Sequence, residues 1–144
     1  MNVLFLFGPN LGALGAREPE RYGTETLEEI MRGVSERAGA LGHAVTWRQS
    51  DAEGDLLGWI RGAAGEGFDA IVVNPAALSH YSYALRDAIA ACGLPVVEVH
   101  MTNIHAREGF RRTSVVSPVA RVVIAGAGAG SYHLALEALA WITR

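Results

Sequence analysis

The sequence predicts an α/β fold in which one parallel sheet is covered by helices on both faces. Short apolar runs rich in Val, Ile and Phe alternate along the chain with longer segments whose apolar residues recur at helical spacing. Strands joined by helices in this way lie parallel, because each helix returns the chain to the same end of the sheet. No linker, repeat or change of composition interrupts the alternation, so residues 1–144 are expected to form a single domain.

The first half of the chain carries clear element boundaries. Residues 3–7 (VLFLF) form a continuous apolar run, as expected of a strand buried on both faces. Thr26 and Glu29 have the spacing of a capping box, which predicts a helix that ends before Gly42. Residues 44–49 (AVTWRQ) alternate between polar and apolar, which favours a strand at the edge of the sheet. The apolar face of the helix consists of Leu27, Ile30, Met31, Val34, Ala38 and Leu41.

The second half repeats the pattern. Ser50 and Glu53 predict a second capping box, and the helix that follows is expected to bury Leu56, Leu57, Ile60 and Ala64. Further strands are predicted at residues 69–74, 95–100 and 121–125, and further helices at 83–92 and 130–143. The first of these helices is expected to face inward with Leu85, Ala88, Ile89 and Cys92. Residues 103–119 are polar, rich in Arg and predicted to be irregular.

Five strands connected in this order predict a flavodoxin-like three-layer sandwich with strand order 2-1-3-4-5. In such sheets ligands bind beyond the carboxyl ends of the strands, near the point where the strand order reverses. Asn10 follows strand 1, Asn74 ends strand 3 and precedes His80, and Glu98 and His100 end strand 4. We therefore expect an active site at this edge, between strands 1, 3 and 4.

Composition excludes several classes of function. The net charge is −3 and no basic run is present, so a nucleic-acid partner is not expected. No apolar run reaches the roughly 20 residues of a membrane helix. The single Cys92 argues against disulfides and fits a reducing cytoplasm, and the N-terminus enters a strand without a basic leader, so no signal peptide is expected.

Three partial motifs do not meet the requirements of a dinucleotide-binding loop, a metal site or a hydrolase nucleophile. The glycines of residues 126–130 lie between a strand and a helix, but Ser131 stands where a dinucleotide-binding loop needs its third glycine. The spacing of His100 and His105 does not match a zinc-binding helix, and Cys92 belongs to an apolar helix face, so no metal site is predicted. Ser79 lacks the flanking glycines of a hydrolase nucleophile.

Residues 8–23 (GPNLGALGAREPERYG) form an unusually long connection between the first strand and its helix. Long connections in compact domains often act as lids over a site. This one contains Arg17 and Tyr22. A phenol has a pKa of about 10, and a nearby guanidinium lowers it, so an Arg–Tyr pair can supply a base. The alternative is a flexible loop in which Arg17 is solvated and Tyr22 packs.

Glu98 and His100 lie on the same face of their strand, because side chains alternate with a period of two. A carboxylate beside an imidazole favours the protonated imidazole, which suits a general acid. The alternative is a Glu98 that pairs with backbone or Arg. Asn74 either caps the next turn or donates to a substrate carboxylate or oxyanion.

Two further groups have both a structural and a functional interpretation. Ser79 is expected to be a helix N-cap, and His80 either is solvated or donates to substrate hydroxyls. At least two of Arg107, Arg111 and Arg112 are expected to be solvated, while one binds an anionic or polyhydroxylated substrate.

Taken together, these stretches resemble the type II 3-dehydroquinate dehydratases. The resemblance runs nearly end to end and rests on five blocks in order: GPNLGALGAREPERYG at 8–23, WRQSDAEGDLLGWI at 47–60, VVNPAALSHYSYALRDA at 72–88, VEVHMTNIHAREGFR at 97–111 and VSPVA at 116–120. It implies anti elimination of water from 3-dehydroquinate through an enolate, without a metal, a cofactor or a Schiff-base lysine. It also implies a homododecamer, built as a tetramer of trimers.

The resemblance assigns roles to individual residues. Tyr22 would remove the C2 proton, Arg17 would activate Tyr22, and His100, backed by Glu98, would protonate the leaving hydroxyl. Asn10 would hold a water that stabilises the enolate. Asn74 and the backbone around Met101 and Thr102 would bind the substrate carboxylate. His80 and Arg111 would bind the ring hydroxyls. Asp87 would reach the site of a neighbouring subunit.

Several positions depart from the family pattern. Gly12 and Ala13 replace an Asn-Leu pair in the lid, the His of the second block is Ala52, and a Tyr is lost at Leu78 and another gained at Tyr81. Thr102 replaces a serine. Two alternatives remain: a dehydratase or isomerase of a related cyclic keto acid, and a non-catalytic flavodoxin-like binding module.

Overall fold

A computed structural model describes residues 1–16 and 18–144, and it contains the predicted five-stranded parallel sheet. The strands are β1 (Asn2–Phe7), β2 (Ala44–Gln49), β3 (Ala70–Asn74), β4 (Val96–His100) and β5 (Val122–Ala125). Their order is β2-β1-β3-β4-β5, which confirms the predicted topology and the edge position of β2. The helices are α1 (Pro19–Tyr22), α2 (Leu27–Ala40), α3 (Glu53–Gly62), α4 (Tyr83–Ala91) and α5 (Gly130–Ile142).

The register of the sheet brings the carboxyl ends of the strands to one level. Phe7, the last residue of β1, lies between Gln49 of β2 and Asn74 of β3. Glu98 lies beside Val73 of β3, and His100 follows it at the end of β4. The polar residues that end these strands therefore meet at the carboxyl end of the sheet, as the sequence predicted.

The sheet separates two apolar layers. On one face, Phe5 and Phe7 of β1 pack with residues of α2 and α5; on the other, Leu4 and Leu6 pack with residues of α3 and α4. These four side chains are fully buried, and burial of each stabilises the fold by about 1.5–3 kcal/mol relative to an exposed position. The continuous apolar run of the first strand is explained by this burial on both faces.

The first predicted capping box is confirmed and the second is wrong. The Thr26 hydroxyl accepts from the Glu29 backbone N–H at 3.2 Å, and the Glu29 carboxylate accepts from the Thr26 N–H at 3.4 Å. Ser50 instead donates to Asp55 at 2.6 Å and accepts from the Ala52 N–H at 3.0 Å. This local turn delays the start of α3, whose N-cap is Ala52.

Two other local predictions need correction. Ser79 does not cap a helix, because it donates to the Ala76 carbonyl within a 3-10 turn, Ala76–His80. Ser82 is the N-cap of α4 and accepts from the Leu85 N–H at 3.0 Å. At the end of α3, Ala63 is buried and Ala64 is exposed, so the inward position is one residue earlier than predicted.

Short helical turns occur both in the long connection after β1 and in the segment 103–119 that was predicted to be irregular. The connection after β1 holds a 3-10 turn, Leu11–Ala13, and the single turn of α1. The segment after β4 holds three 3-10 turns, Ile104–Ala106, Gly109–Arg111 and Ser117–Val119. Within the described ranges 1–16 and 18–144, no helix has both the length and the apolar character needed to cross a bilayer.

The capping box of α2 predicts a measurable stability change. Thr26→Ala removes the acceptor for one backbone N–H and should lower the free energy of unfolding by about 1 kcal/mol. Urea unfolding followed by circular dichroism measures it, with Thr24→Ala, an exposed position two residues earlier, as control. Equal unfolding midpoints for the two variants would show that the cap does not stabilise the fold.

Candidate active site

A pocket opens at the carboxyl ends of β1, β3 and β4. Its lining includes eight of the candidate residues: Asn10, Tyr22, Asn74, His80, His100, Met101, Thr102 and Arg111. Glu98 lies directly behind it and is fully buried. Arg17 lies outside the described residues. Asp87 is exposed on α4 and is not part of the pocket formed by this chain.

Glu98 and His100 form a buried pair. His100 Nε2 lies 2.7 Å from Glu98 Oε1, as expected from their positions on one face of β4. Burial acts to raise the pKa of Glu98, but hydrogen bonds from His100, Ser114 and Ser117 outweigh it and hold the pKa below its ordinary value. Glu98 is therefore a carboxylate at neutral pH, and Nδ1 is the imidazole nitrogen of His100 left for a ligand.

Asn74 is fixed in orientation from two sides. Its Oδ1 accepts from the Ala76 N–H at 3.1 Å, so the turn-capping interpretation is confirmed. Its Nδ2 donates to the hydroxyl of Tyr132 at 2.9 Å. Because an amide nitrogen carries two hydrogens, Asn74 keeps a second donor that a ligand in the pocket can use. The structural and the functional interpretation of Asn74 are thus compatible.

Tyr132 is fully buried in α5 and contacts the site through Asn74. Burial raises the pKa of its phenol well above the ordinary value, although the hydrogen bond from Asn74 acts in the opposite direction. The phenol therefore stays neutral, and its role is to hold the Asn74 amide. No local pattern indicates this contact, because Tyr132 lies 58 residues further along the chain than Asn74.

Asn10 is held in the left-handed backbone region, with φ 70°. Its backbone N–H donates to Asp51 Oδ1 at 2.9 Å. The same oxygen accepts from Gln49 Nε2 at 3.0 Å, and Gln49 also donates to the Gly8 carbonyl at 3.2 Å. The bond from Asn10, followed by that from Gln49, lowers the pKa of Asp51. The end of β2 thus fixes the turn that positions Asn10.

His80 is oriented by the residues between the 3-10 turns Gly109–Arg111 and Ser117–Val119. Its Nδ1 lies 2.8 Å from the Thr113 carbonyl. A carbonyl oxygen only accepts, so Nδ1 carries the hydrogen and Nε2 is left for the pocket. The Val115 N–H donates to the Ser79 carbonyl at 2.7 Å, which ties the same segment to the turn that carries His80.

Arg107, one of the three arginines considered as substrate-binding candidates, lines the pocket and contacts Tyr22, which the sequence did not indicate. Its Nη1 donates to the Tyr22 hydroxyl at 3.4 Å, and its Nε is buried without a hydrogen-bond partner among residues 1–16 and 18–144. Tyr22 itself is half-buried at the end of α1. The Arg107 guanidinium thus donates directly to the oxygen of the Tyr22 side chain. The arrangement brings a potential base to the pocket lined by His100.

The Arg-rich segment is less solvated than predicted. Arg107 and Arg111 both line the pocket, whereas Arg112 is exposed and donates to the Arg107 carbonyl at 2.6 Å. Arg111 forms an ion pair with Glu108 and lies 4.4 Å above the ring of Phe110. The expectation that at least two of the three are solvated was therefore wrong, because the 3-10 turns direct two of them inward.

The Glu98 carboxylate predicts a pH dependence of stability. Because its pKa is depressed in the fold, its contribution is fully present above the ordinary value of 4.5 and is lost as the pH falls below that value. Glu98→Gln should lower the free energy of unfolding at pH 7, and the difference from the parent should shrink steadily below pH 4.5. Urea unfolding over this range measures it; a constant difference at all pH values would contradict the depressed pKa.

Comparisons with known proteins agree with the geometry. The family described as dehydroquinase class II matches residues 1–140. The 3-dehydroquinate dehydratase of Thermus thermophilus is 58% identical over 139 residues, covering 96% of this chain and 93% of the relative. The type II dehydroquinase structure from Propionibacterium acnes has a TM-score of 0.93 at 46% identity, covering 97% of this chain and 96% of that chain. The one from Butyrivibrio crossotus has a TM-score of 0.95 at 40% identity, covering 97% of each. The chain therefore belongs to the class II dehydroquinases.

Proposed function

We propose that this chain is a 3-dehydroquinate dehydratase, which eliminates water from 3-dehydroquinate to give 3-dehydroshikimate through an enolate. Membership of the family supports the reaction. The observation that carries the proposal is one pocket lined both by a phenol beside a guanidinium and by an imidazole backed by a buried carboxylate. An elimination needs one base and one acid at separate points of the substrate, and these two pairs can supply them.

Proton removal is assigned to Tyr22. As a phenolate it takes the proton from C2, next to the ketone, and Arg107 lies close enough to stabilise that phenolate. Arg17 is proposed as a second activating guanidinium. Asn10, fixed by Asp51, would hold a water molecule that donates to the enolate oxygen. Stabilising the enolate lowers the barrier because negative charge develops on that oxygen in the transition state.

Loss of the hydroxyl is assigned to His100. His100, held at Nε2 by the Glu98 carboxylate, acts as an imidazolium whose Nδ1–H protonates the departing oxygen. Electrons of the enolate form the new double bond as the carbon–oxygen bond breaks, so water leaves and the conjugated ketone remains. Base and acid act in separate steps, so each can be tested alone.

Substrate binding is assigned to the remaining residues of the pocket. Asn74 and the backbone at Met101 and Thr102 would bind the substrate carboxylate. His80 and Arg111 would bind the ring hydroxyls. These groups carry the N–H donors that carboxylate and hydroxyl oxygens need. Because side chains supply both the base and the acid, we propose that the enzyme needs no metal ion or cofactor.

We further propose that residues 1–144 act as a single catalytic domain in a homododecamer, a tetramer of trimers, in the cytoplasm. Asp87 supports a contribution between subunits, because it is exposed and lies outside the pocket of its own chain. In a trimer it would reach the site of a neighbouring subunit.

The reaction is tested by ultraviolet absorbance of the protein with 3-dehydroquinate and no added metal or cofactor. A rising signal of the conjugated enone is expected. Tyr22→Phe should lower turnover by about 10²–10⁴-fold, since the base is lost. Tyr83→Phe, an exposed tyrosine of α4, is the matched control. A flat trace from folded wild-type protein would reject the substrate and redirect the search to other cyclic β-hydroxy ketones, and normal turnover of Tyr22→Phe would reject the base.

The acid step is tested by His100→Ala in deuterium oxide. Turnover should fall by about 10²–10⁴-fold, while exchange of the C2 proton with solvent continues because Tyr22 remains. Nuclear magnetic resonance of recovered substrate measures the exchange. A folded variant that neither exchanges nor turns over would contradict a stepwise reaction through an enolate.

A further inference from the structure

The Glu98 carboxylate receives a hydrogen bond at each oxygen from a serine that follows it in the chain. Ser114 Oγ lies 2.5 Å from Oε1, the oxygen that also contacts His100. Ser117 Oγ lies 2.5 Å from Oε2. The carboxylate is fully buried, and a buried charge is unfavourable unless such donors compensate it. The two serines therefore complete the environment of the Glu98 anion.

The direction of the Ser114 hydrogen bond is fixed by the backbone. Its Oγ accepts from the Val116 and the Ser117 N–H groups, both at 3.2 Å. A hydroxyl oxygen has two lone pairs, so both are used and the hydroxyl hydrogen has to point to Glu98. A proton on Oε1 would then face the Ser114 O–H on one side, and on the other His100 Nε2, which could accept it only after giving up its own hydrogen. Apart from the imidazole, this oxygen has no acceptor in contact to which a proton could be directed.

The neighbouring strands add no charge to this cluster. Glu98 lies beside Val73 of β3 and Val123 of β5. Among the described residues, His100 is the titratable group in contact with it. The distribution of protons within the pair is thus decided by the imidazole and the two hydroxyls.

We propose that Ser114 and Ser117 are positioning residues of the reaction, which hold Glu98 as an anion and thereby keep the transferable proton on His100. The inference rests on the proposed function, because it concerns the acid of that reaction. Neither serine lines the pocket. Without them Glu98 would compete for the proton on Nε2, and a neutral His100, left with only its Nδ1–H, would be a much weaker acid toward the leaving hydroxyl.

The segment that carries Ser114 and Ser117 is held in place by hydrogen bonds to the rest of the fold. Val115, between them, donates its N–H to the Ser79 carbonyl at 2.7 Å and accepts from Arg86 at 3.2 Å. Ser117 uses its hydroxyl on Glu98, whereas Ser114 also supports two backbone groups. Ser117→Ala is therefore the cleaner variant, and Ser114→Ala is the second.

The first test does not depend on turnover. The carboxyl band of Glu98 is identified in infrared spectra as the one lost in Glu98→Gln, and its protonation is followed with pH. Ser117→Ala should move the midpoint to higher pH, since a donor to the anion is lost. Ser117→Thr, which keeps a hydroxyl, should restore it, and the exposed control Ser35→Ala should leave it unchanged. An unchanged midpoint in folded Ser117→Ala and Ser114→Ala would overturn the proposal.

The second test separates the acid from the base. In deuterium oxide, the ratio of C2 exchange to product formation should rise about 10-fold or more in Ser117→Ala, because proton removal by Tyr22 continues while the hydroxyl leaves more slowly. KM should stay within about 2-fold, since the serine does not line the pocket. A ratio equal to that of the parent would overturn the proposal. Absence of turnover in wild type would instead reject the proposed function, and the infrared titration would still report on the serines.

Discussion

The arrangement of this site depends on parallel pairing of strands that are buried on both faces. Such strands accept apolar side chains along their length, so polar groups collect where they end. The register places Phe7 beside Gln49 and Asn74, which brings three strand ends to one level. His100 completes the set at the end of β4. The position of the pocket thus follows from the hydrophobic pattern of the chain before any functional residue is considered.

The contacts predicted from the sequence were those that strand or helix periodicity determines. Glu98 and His100 are two residues apart on one strand, so their contact follows from strand geometry alone. The Thr26 capping box likewise needs only local spacing. The strand order followed from the alternation of strands and helices, with the connections between neighbours limiting the possible topologies.

The remaining contacts could not be predicted because they join distant parts of the chain. Arg107 and Tyr22 are 85 residues apart, and each lies in a segment without a repeating pattern. Ser114, in a loop, and Ser117, at the start of a 3-10 turn, reach Glu98 from a segment whose path no periodicity indicates. Local signals also misled where two options competed: Ser50 has the spacing of a cap, but a turn with Ala52 and Asp55 uses its hydroxyl instead.

The proposed acid, His100, and the proposed base, Tyr22, differ in how their side chains are held in position. His100 is almost fully buried at the end of a sheet strand, whereas Tyr22 is half-buried at the end of a single helical turn in a long connection. A small molecule that blocks the pocket through His100 and Asn74 contacts side chains whose positions are set by the sheet and by buried hydrogen bonds. One that relies on Tyr22 contacts a side chain positioned by a single helical turn. Inhibitor design should therefore start from the strand side of the pocket and extend toward the tyrosine afterwards.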